Sequence, residues 1–323
     1  MHSFLNRREA LAVAAGALAF PLASAADPWP ASTLTLTVPF AAGGGTDLLA
    51  RALALKLAPV LGISVIVDNR AGAAGNIGAE AVVRDQTRHK LLFTTAAIAV
   101  NQSLYKNLRY NLVDDLQPVS MLTSSPLVLA VPANSDVKSV SDLRRIASAK
   151  AGGLDYGSPG NGTTSHLAGV VFAKSLGVQA THVPYKGAGP VCTALAAKEI
   201  DFALIAAVAA TPFIRSGILR AIGIAGKQAP PGMENIPLLT KDFPQVEFDN
   251  WQALFAPRSQ PRADVDRLHR DIAAILKTPD VIEKISADGA LPLGLTPEKT
   301  AAMLATEVER YARIVREFGV VVS

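Results

Sequence analysis

The stretch Val38-Pro39-Phe40-Ala41-Ala42-Gly43-Gly44-Gly45-Thr46-Asp47 decides the fold, because it carries a short apolar strand through a glycine turn straight into a helix. The strand is read over 33–38 and the helix over 47–61, where the apolar positions switch from a period of two to one near 3.6. The same alternation continues outward with a strand over 63–67, a helix over 76–84 and a strand over 91–95. It returns further on with a strand over 154–158, a helix over 164–176, a strand over 181–185, a helix over 189–198 and a strand over 202–206. Such βα units imply α/β architecture, with largely parallel strands flanked by helices. Two separate runs of units in 323 residues, half of them hydrophobic, imply two lobes rather than one.

Two apolar strands that run into prolines, 127–131 before Pro132 and 251–256 before Pro257, are read as the crossings between lobes. Residues 26–126 plus 251–323 then form the first lobe and 127–250 the second, with crossings near 127–132 and 251–257. The tail is helical over 264–276, and a longer helix follows that Thr296 can cap and Pro297 can open. On that helix Leu304, Val308, Tyr311, Val315 and Phe318 share one stripe, expected to pack against the first lobe.

Residues 1–25 read as an export signal, with Arg7 and Arg8 ahead of an apolar run that ends in Ala23, Ser24 and Ala25. Cleavage there starts the mature chain at Ala26. The pair Arg7-Arg8 fits a twin-arginine route as well as the general secretory one. Arg7, Arg8 and Glu9 leave with the signal and lower the net charge of +4 by one. So mild a charge, with 6% aromatic residues and no basic run, argues against nucleic acid as a partner. Cys192 is the only cysteine, so no intramolecular disulfide can form, and its alanine-rich surroundings suit a buried thiol. The five histidines are scattered without a metal-ligand spacing, so neither a metal nor another cofactor is expected.

A strand that ends in consecutive glycines and opens into a helix points free backbone N–H groups at an anion. The glycines lack the G-x-G-x-x-G spacing and the Gly-Lys-Ser/Thr ending of nucleotide loops, so a nucleotide is not implied. They also suit a plain tight turn with Thr46 or Asp47 as helix cap. A second such segment, Tyr156-Gly157-Ser158-Pro159-Gly160-Asn161-Gly162-Thr163-Thr164-Ser165-His166, offers hydroxyls and amides at another helix start. Here Thr163 or Thr164 can equally be an N-cap, and His166 can satisfy a nearby carbonyl. One such loop in each half, each at the end of an early strand, marks where open α/β sheets bind ligands.

The order of Pro39-Phe40 through Asp47-Leu48-Leu49-Ala50-Arg51, then Val67-Asp68-Asn69-Arg70-Ala71-Gly72-Ala73-Ala74-Gly75-Asn76-Ile77-Gly78, resembles the Bug-type solute receptors of tripartite tricarboxylate transporters. The likeness continues through Tyr105, Pro118-Val119, the second loop, His182-Val183-Pro184-Tyr185-Lys186-Gly187 and the 251–257 strand. It implies a two-lobed periplasmic-binding-protein fold of type II-like form, closing over a small organic carboxylate. It further implies membrane permease subunits as partners, a periplasmic location and a monomer. Carried over, Phe40, Gly43, Gly44 and Asp47 belong to the first loop, Asp47 bracing it. Ser158, Gly162, Thr163, Thr164 and His166 belong to the second, and Thr95 is counted with them. Residues 85–90 depart from the family's glycine turn, and Ile205 stands where the family often has an acidic residue.

Other readings compete with a transport receptor. A ligand-loaded sensory module needs the same closed form, and an esterase or lyase could use Ser158 and His166, although no orienting partner is visible for that pair. For the ligand, a buried ammonium calls for a carboxylate. Ala203, Ile205, Ala206, Ala207, Val208 and Ala209 offer none, while Asp201 reads as structural and another acid such as Asp249 could swing into the cleft. An organic acid without an amino group is therefore expected.

Overall fold

The computed structural model describes residues 29–321 apart from 86 and 288, so the expected export signal lies outside the described residues. The first run of elements is β1 (Leu34–Val38), α1 (Gly45–Leu61), β2 (Val65–Asn69), α2 (Asn76–Val83), β3 (Lys90–Thr95), α3 (Ala97–Leu104) and β4 (Leu116–Ser124). The second is β5 (Leu127–Pro132), α4 (Val140–Ala149), β6 (Leu154–Ser158), α5 (Thr164–Leu176), β7 (Ala180–Pro184), α6 (Ala188–Ala196), β8 (Phe202–Ala206), α7 (Ala207–Arg215) and β9 (Leu219–Ile224). The chain ends with β10 (Gln252–Pro257), α8 (Arg262–Ile275), α9 (Pro279–Ala287), β11 (Leu291–Leu295) and α10 (Pro297–Phe318).

These strands build two mixed sheets, ordered β11-β4-β10-β3-β1-β2 and β7-β6-β8-β5-β9, which are the cores of the two lobes. Parallel pairing is confined to β1 with β2 and β3, and to β6 with β7 and β8. The strands β5 and β10 each lie within one sheet. The chain therefore changes sheet just ahead of them, at Ser125-Pro126 and at 249–251.

Helix α1 forms because Ala50, Leu53, Ala54, Leu57 and Leu61 recur at three- and four-residue spacing and bury against Leu34, Leu36 and Val38 of β1 and Val265 and Leu268 of α8. Each buried leucine contributes roughly 1.5–3 kcal/mol. The helix starts at Gly45, ahead of the expected 47, because Gly44 is its N-cap and neither Thr46 nor Asp47 caps it. At 85–90, where a glycine turn is missing, Arg88 takes the left-handed conformation with φ 62°. Asp85 steadies the turn by accepting from the Thr87 N–H at 2.9 Å and pairing with Lys90 at 2.6 Å.

Helix α10 is capped as its sequence suggests, with Thr296 Oγ1 accepting from the Lys299 N–H at 3.3 Å. Its buried residues are Pro297, Thr300, Leu304, Tyr311 and Ile314, with Val308, Val315 and Phe318 partly buried beside them. It lies on α3 and β4 of the first lobe and, beyond expectation, on α5 of the second. Arg310 Nη1 donates to the Glu247 carbonyl at 2.7 Å, and Lys174 Nζ donates to the Phe318 carbonyl. Phe172 and Phe202 of the second lobe share one apolar cluster with Trp251, Phe255 and Tyr311 of the first.

Candidate ligand-binding site

The two glycine-rich loops leave the C-terminal ends of β1 and β6. Each of these strands lies between the next two of its lobe, β1 between β3 and β2 and β6 between β7 and β8. The chain thus reverses direction across the sheet at both strands, which opens a crevice at their carboxyl ends.

In the first loop Asp47 is almost wholly buried, and its carboxylate faces inward. Oδ2 accepts from the Gly43 N–H and from Arg51 Nε, both at 2.9 Å, and Oδ1 accepts from Asn69 Nδ2 at 2.9 Å. Burial alone would raise its pKa, but the Arg51, Gly43 and Asn69 hydrogen bonds outweigh that and hold it below the usual carboxylate range. Asn69 Nδ2 also donates to the Phe40 carbonyl at 3.1 Å, so Asp47 and Asn69 together fix the loop from Phe40 to Gly43. Gly43 needs its φ of 82°, a region open to glycine. Gly44 makes no side-chain cap, so the first turn of α1 presents its amide N–H groups uncapped, beside a loop exposed at 41–45.

The second loop is tied down differently. Thr163 is the N-cap of α5, its Oγ1 accepting from the His166 N–H at 3.3 Å and donating to the Gly160 carbonyl at 2.8 Å. Ser158 is fully buried, its hydroxyl 3.0 Å from the Gly160 carbonyl and 2.7 Å from His182 Nε2. His166 does not serve a carbonyl. Its Nδ1 accepts from the Gly162 N–H at 3.3 Å, which places the ring proton on Nε2. His166 and His182 stack with centroids 4.1 Å apart. Burial pushes the His166 pKa down to about 4, and burial together with His166 pushes that of His182 down to about 3. Thr164 is buried, and its hydroxyl makes no hydrogen bond to another described residue. Thr95 ends β3, the strand beside β1, opposite Gln252 of β10, its Oγ1 accepting from the Ala97 N–H at 3.4 Å.

The loops meet through residues that sequence reasoning did not assign to the site. Gly75 and Gly78 pack under Pro39, with Phe40 beside Gly75, and a side-chain carbon at Gly78 would fall 2.7 Å from Pro39 Cβ. Next along the chain, Ala74 lies against Gly162 of the other lobe, together with Asn101 and Tyr105. The run Gly72-Ala73-Ala74-Gly75 signals an unusual backbone in the sequence. A single asparagine within an alanine-rich helix gives no such signal.

The acidic residues weighed for the ligand are committed elsewhere. Asp201 accepts from Lys150 Nζ at 2.6 Å and from the Asp155 N–H at 2.7 Å, at the far end of β6. Asp249 does not reach the cleft. It binds Ser124 Oγ and the Ser125 N–H, and its burial raises its pKa. Ile205 does not line the cleft either, because strand alternation packs it with Val128, Val191 and Ala203 inside the second lobe. Among the described residues no cluster of three or more His, Cys, Asp or Glu could hold a metal ion. Cys192 is buried, which pushes its thiol pKa up to about 12.

Residues 49–320 match the family described as "Tripartite tricarboxylate transporter family receptor". Protein BugT of Bordetella pertussis is 32% identical over 311 residues, covering 95% of this chain and 95% of its own. A Rhodopseudomonas palustris protein solved with adipate superposes with a TM-score of 0.85 at 30% identity, over 91% of this chain and 99% of that one. MatC of the same organism, solved with bound malate, gives 0.82 at 28% identity, over 89% and 100%. The chain belongs to the tripartite tricarboxylate transporter receptor family and is a solute-binding protein of that family, not an enzyme.

Proposed function

We propose that this protein is exported to the periplasm, captures a small organic carboxylate without an amino group between its lobes, and delivers it as a monomer to the membrane permease subunits of a tripartite transporter. The observation that carries this reading is the uncapped start of α1 at Gly44, which follows β1 in the lobe whose Ala74 lies against Gly162 of the other lobe's loop. Helix N-termini favour negative charge by about 0.3–1 kcal/mol when exposed and up to ~2 when partly buried. In this reading the amides after Gly44 and the Thr164 hydroxyl contact the anion. Phe40 and Gly43 shape the first loop, Asp47, Ser158, Thr163 and His166 hold the loops rigid, and Thr95 supports the floor. The lobes are 26–126 plus 251–323 and 127–250, and they turn about the segments joining them. Adipate and malate in related proteins are both carboxylates without an ammonium group. Here the acids nearest to serving an ammonium, Asp47 and Asp249, already have partners, and an unpaired buried charge is costly.

Calorimetric titration of the ligand-free protein against succinate with aspartate, and glutarate with glutamate, tests this directly. Affinities near micromolar are expected for the members lacking nitrogen, which corresponds to about 8 kcal/mol. Tighter binding of the amino-bearing member in both pairs would refute the assignment. Gly44→Val supplies the site control, because an added Cβ meets only the Ala41 carbonyl at 3.6 Å and leaves the fold unstrained. A loss of at least about tenfold in affinity is expected from the blocked approach of the anion to the amides. Unchanged affinity would remove the first loop from the site.

A further inference from the structure

Four consecutive residues, Gly72, Ala73, Ala74 and Gly75, have φ of 140°, 47°, 52° and 99°. Two of them are alanines in the left-handed region, each disfavoured by roughly 1–2 kcal/mol. Such a backbone persists only where its surroundings over-determine it. The fastening comes from Asn101 of α3, a fully buried residue whose Nδ2 donates to the Ala74 carbonyl at 3.0 Å and to Asn76 Oδ1 at 2.9 Å. Tyr110 adds a hydrogen bond from its hydroxyl to the same Asn76 oxygen at 2.8 Å.

This network fixes which way the Asn101 amide faces. The Ala74 carbonyl can only accept, so the nitrogen must point to it, and the oxygen is turned away. That oxygen is buried with no hydrogen-bond partner, an arrangement that ordinarily costs about 1–3 kcal/mol. What it meets is Gly162 of the second lobe. A side-chain carbon at 162 would fall 2.9 Å from Asn101 Oδ1, 3.2 Å from Ala74 Cβ and 3.2 Å from Tyr105 Cε2. Only a glycine lets the lobes come this close, and one of its Cα–H groups lies along the direction a Cβ would take toward that oxygen.

We propose that Asn101 is the positioning residue of lobe closure. One end of its amide holds the strained Ala74 loop in place, and the other forms the seat that receives Gly162. The closed form is reached only when both are set. This rests on the reading of the chain as a receptor that closes over its ligand, and it adds a residue that acts through the lobes' contact and not through the carboxylate.

A double-mutant cycle read by lobe separation tests it without any ligand. Nitroxides on Leu55→Cys and Ile218→Cys, both exposed and one on each lobe, report the closed and open populations by pulsed electron spin resonance, while Cys192 is buried and escapes labelling. Gly162→Ala is expected to cut the closed-to-open ratio about tenfold with Asn101 present, and about twofold or less in Asn101→Ala, because the added methyl no longer meets Oδ1. The φ of 79° at Gly162 strains the alanine equally in both backgrounds and cancels. Equal factors in both backgrounds would overturn the proposal, as would a ligand-free wild type with no closed population. Asn101→Asp keeps size and an oxygen but removes both donors. It should open the lobes as Asn101→Ala does, and a wild-type distribution for it would overturn the proposal even if Gly162→Ala fails to fold. A wild type that binds no tested carboxylate would refute the ligand reading and leave this measurement standing.

Discussion

His166 and His182, with their rings 4.1 Å apart and Tyr156 stacked on the far side of His182 at 5.0 Å, are kept neutral by the fold. A proton on His166 Nδ1 would set it against the Gly162 N–H that it now accepts, at the contact between the lobes. Both folded pKa values, about 4 and about 3, lie below the ordinary 6.5. The stability they contribute is therefore fully present above pH 6.5 and is lost as pH falls through about 4. For His166 alone the loss is on the order of 3 kcal/mol, at 1.36 kcal/mol per unit. The thermal midpoint should fall over that window in the wild type and fall less steeply in His182→Phe, which keeps the stack and removes one titrating ring. Parallel curves for the two proteins would contradict this. Under the proposed function, a neutral His166 would bring no charge to a bound carboxylate at pH 6 to 8. Neither the stacking nor the tautomer could be read from five scattered histidines, because both depend on which residues the strands bring together.

At the scale of elements, the two loop-opened helices differ where their sequences look alike. Both follow a glycine-rich turn, yet α5 spends Thr163 on its own cap while α1 has only Gly44. Sequence placed both loops correctly at strand ends, since the change of apolar period is a strong signal. It misplaced the cap of α1 because Asp47 is a good capping residue whose side chain turns inward to Gly43, Arg51 and Asn69 instead. Helix α10 carries a similar lesson. Its stripe was legible from spacing, but spacing says nothing about what a stripe packs against, and the helix bridges both lobes. Arg310 anchors that bridge, bonded to Glu307 at 3.0 Å and to the Glu247 carbonyl at 2.7 Å, with its guanidinium 4.6 Å from the Tyr311 ring centre. Removing it leaves the mostly buried Glu307 without its partner. Arg310→Ala should therefore lower the unfolding free energy by about 3–5 kcal/mol, read from urea midpoints. A change under about 0.5 kcal/mol, the range of ordinary surface substitutions, would show the bridge to be incidental.

For the whole molecule, the two-lobed form was legible from the two separate runs of βα units, whereas Pro132 and Pro257 end their strands away from the changes of sheet. The crossings themselves, Ser125-Pro126 and 249–251, are too short to carry a pattern of their own. No helix among the described residues is long and apolar enough to cross a membrane. The proposed export rests instead on the sequence pattern before Ala25, and mass spectrometry of a periplasmic fraction should find a mature chain beginning near Ala26. An intact chain from Met1 recovered in the cytoplasm would overturn it. The crossings run side by side and are laced together. Pro126 bridges Asp249, the Asn250 N–H donates to the Ser125 carbonyl at 2.9 Å, and the Asp249 carboxylate accepts from the Ser125 N–H at 2.7 Å. Two straps stitched at mid-span resist torsion and sliding while staying soft to bending. Under the proposed function the pair works as a single axle, leaving the lobes one compliant coordinate along which a bound solute shifts the balance from open to closed.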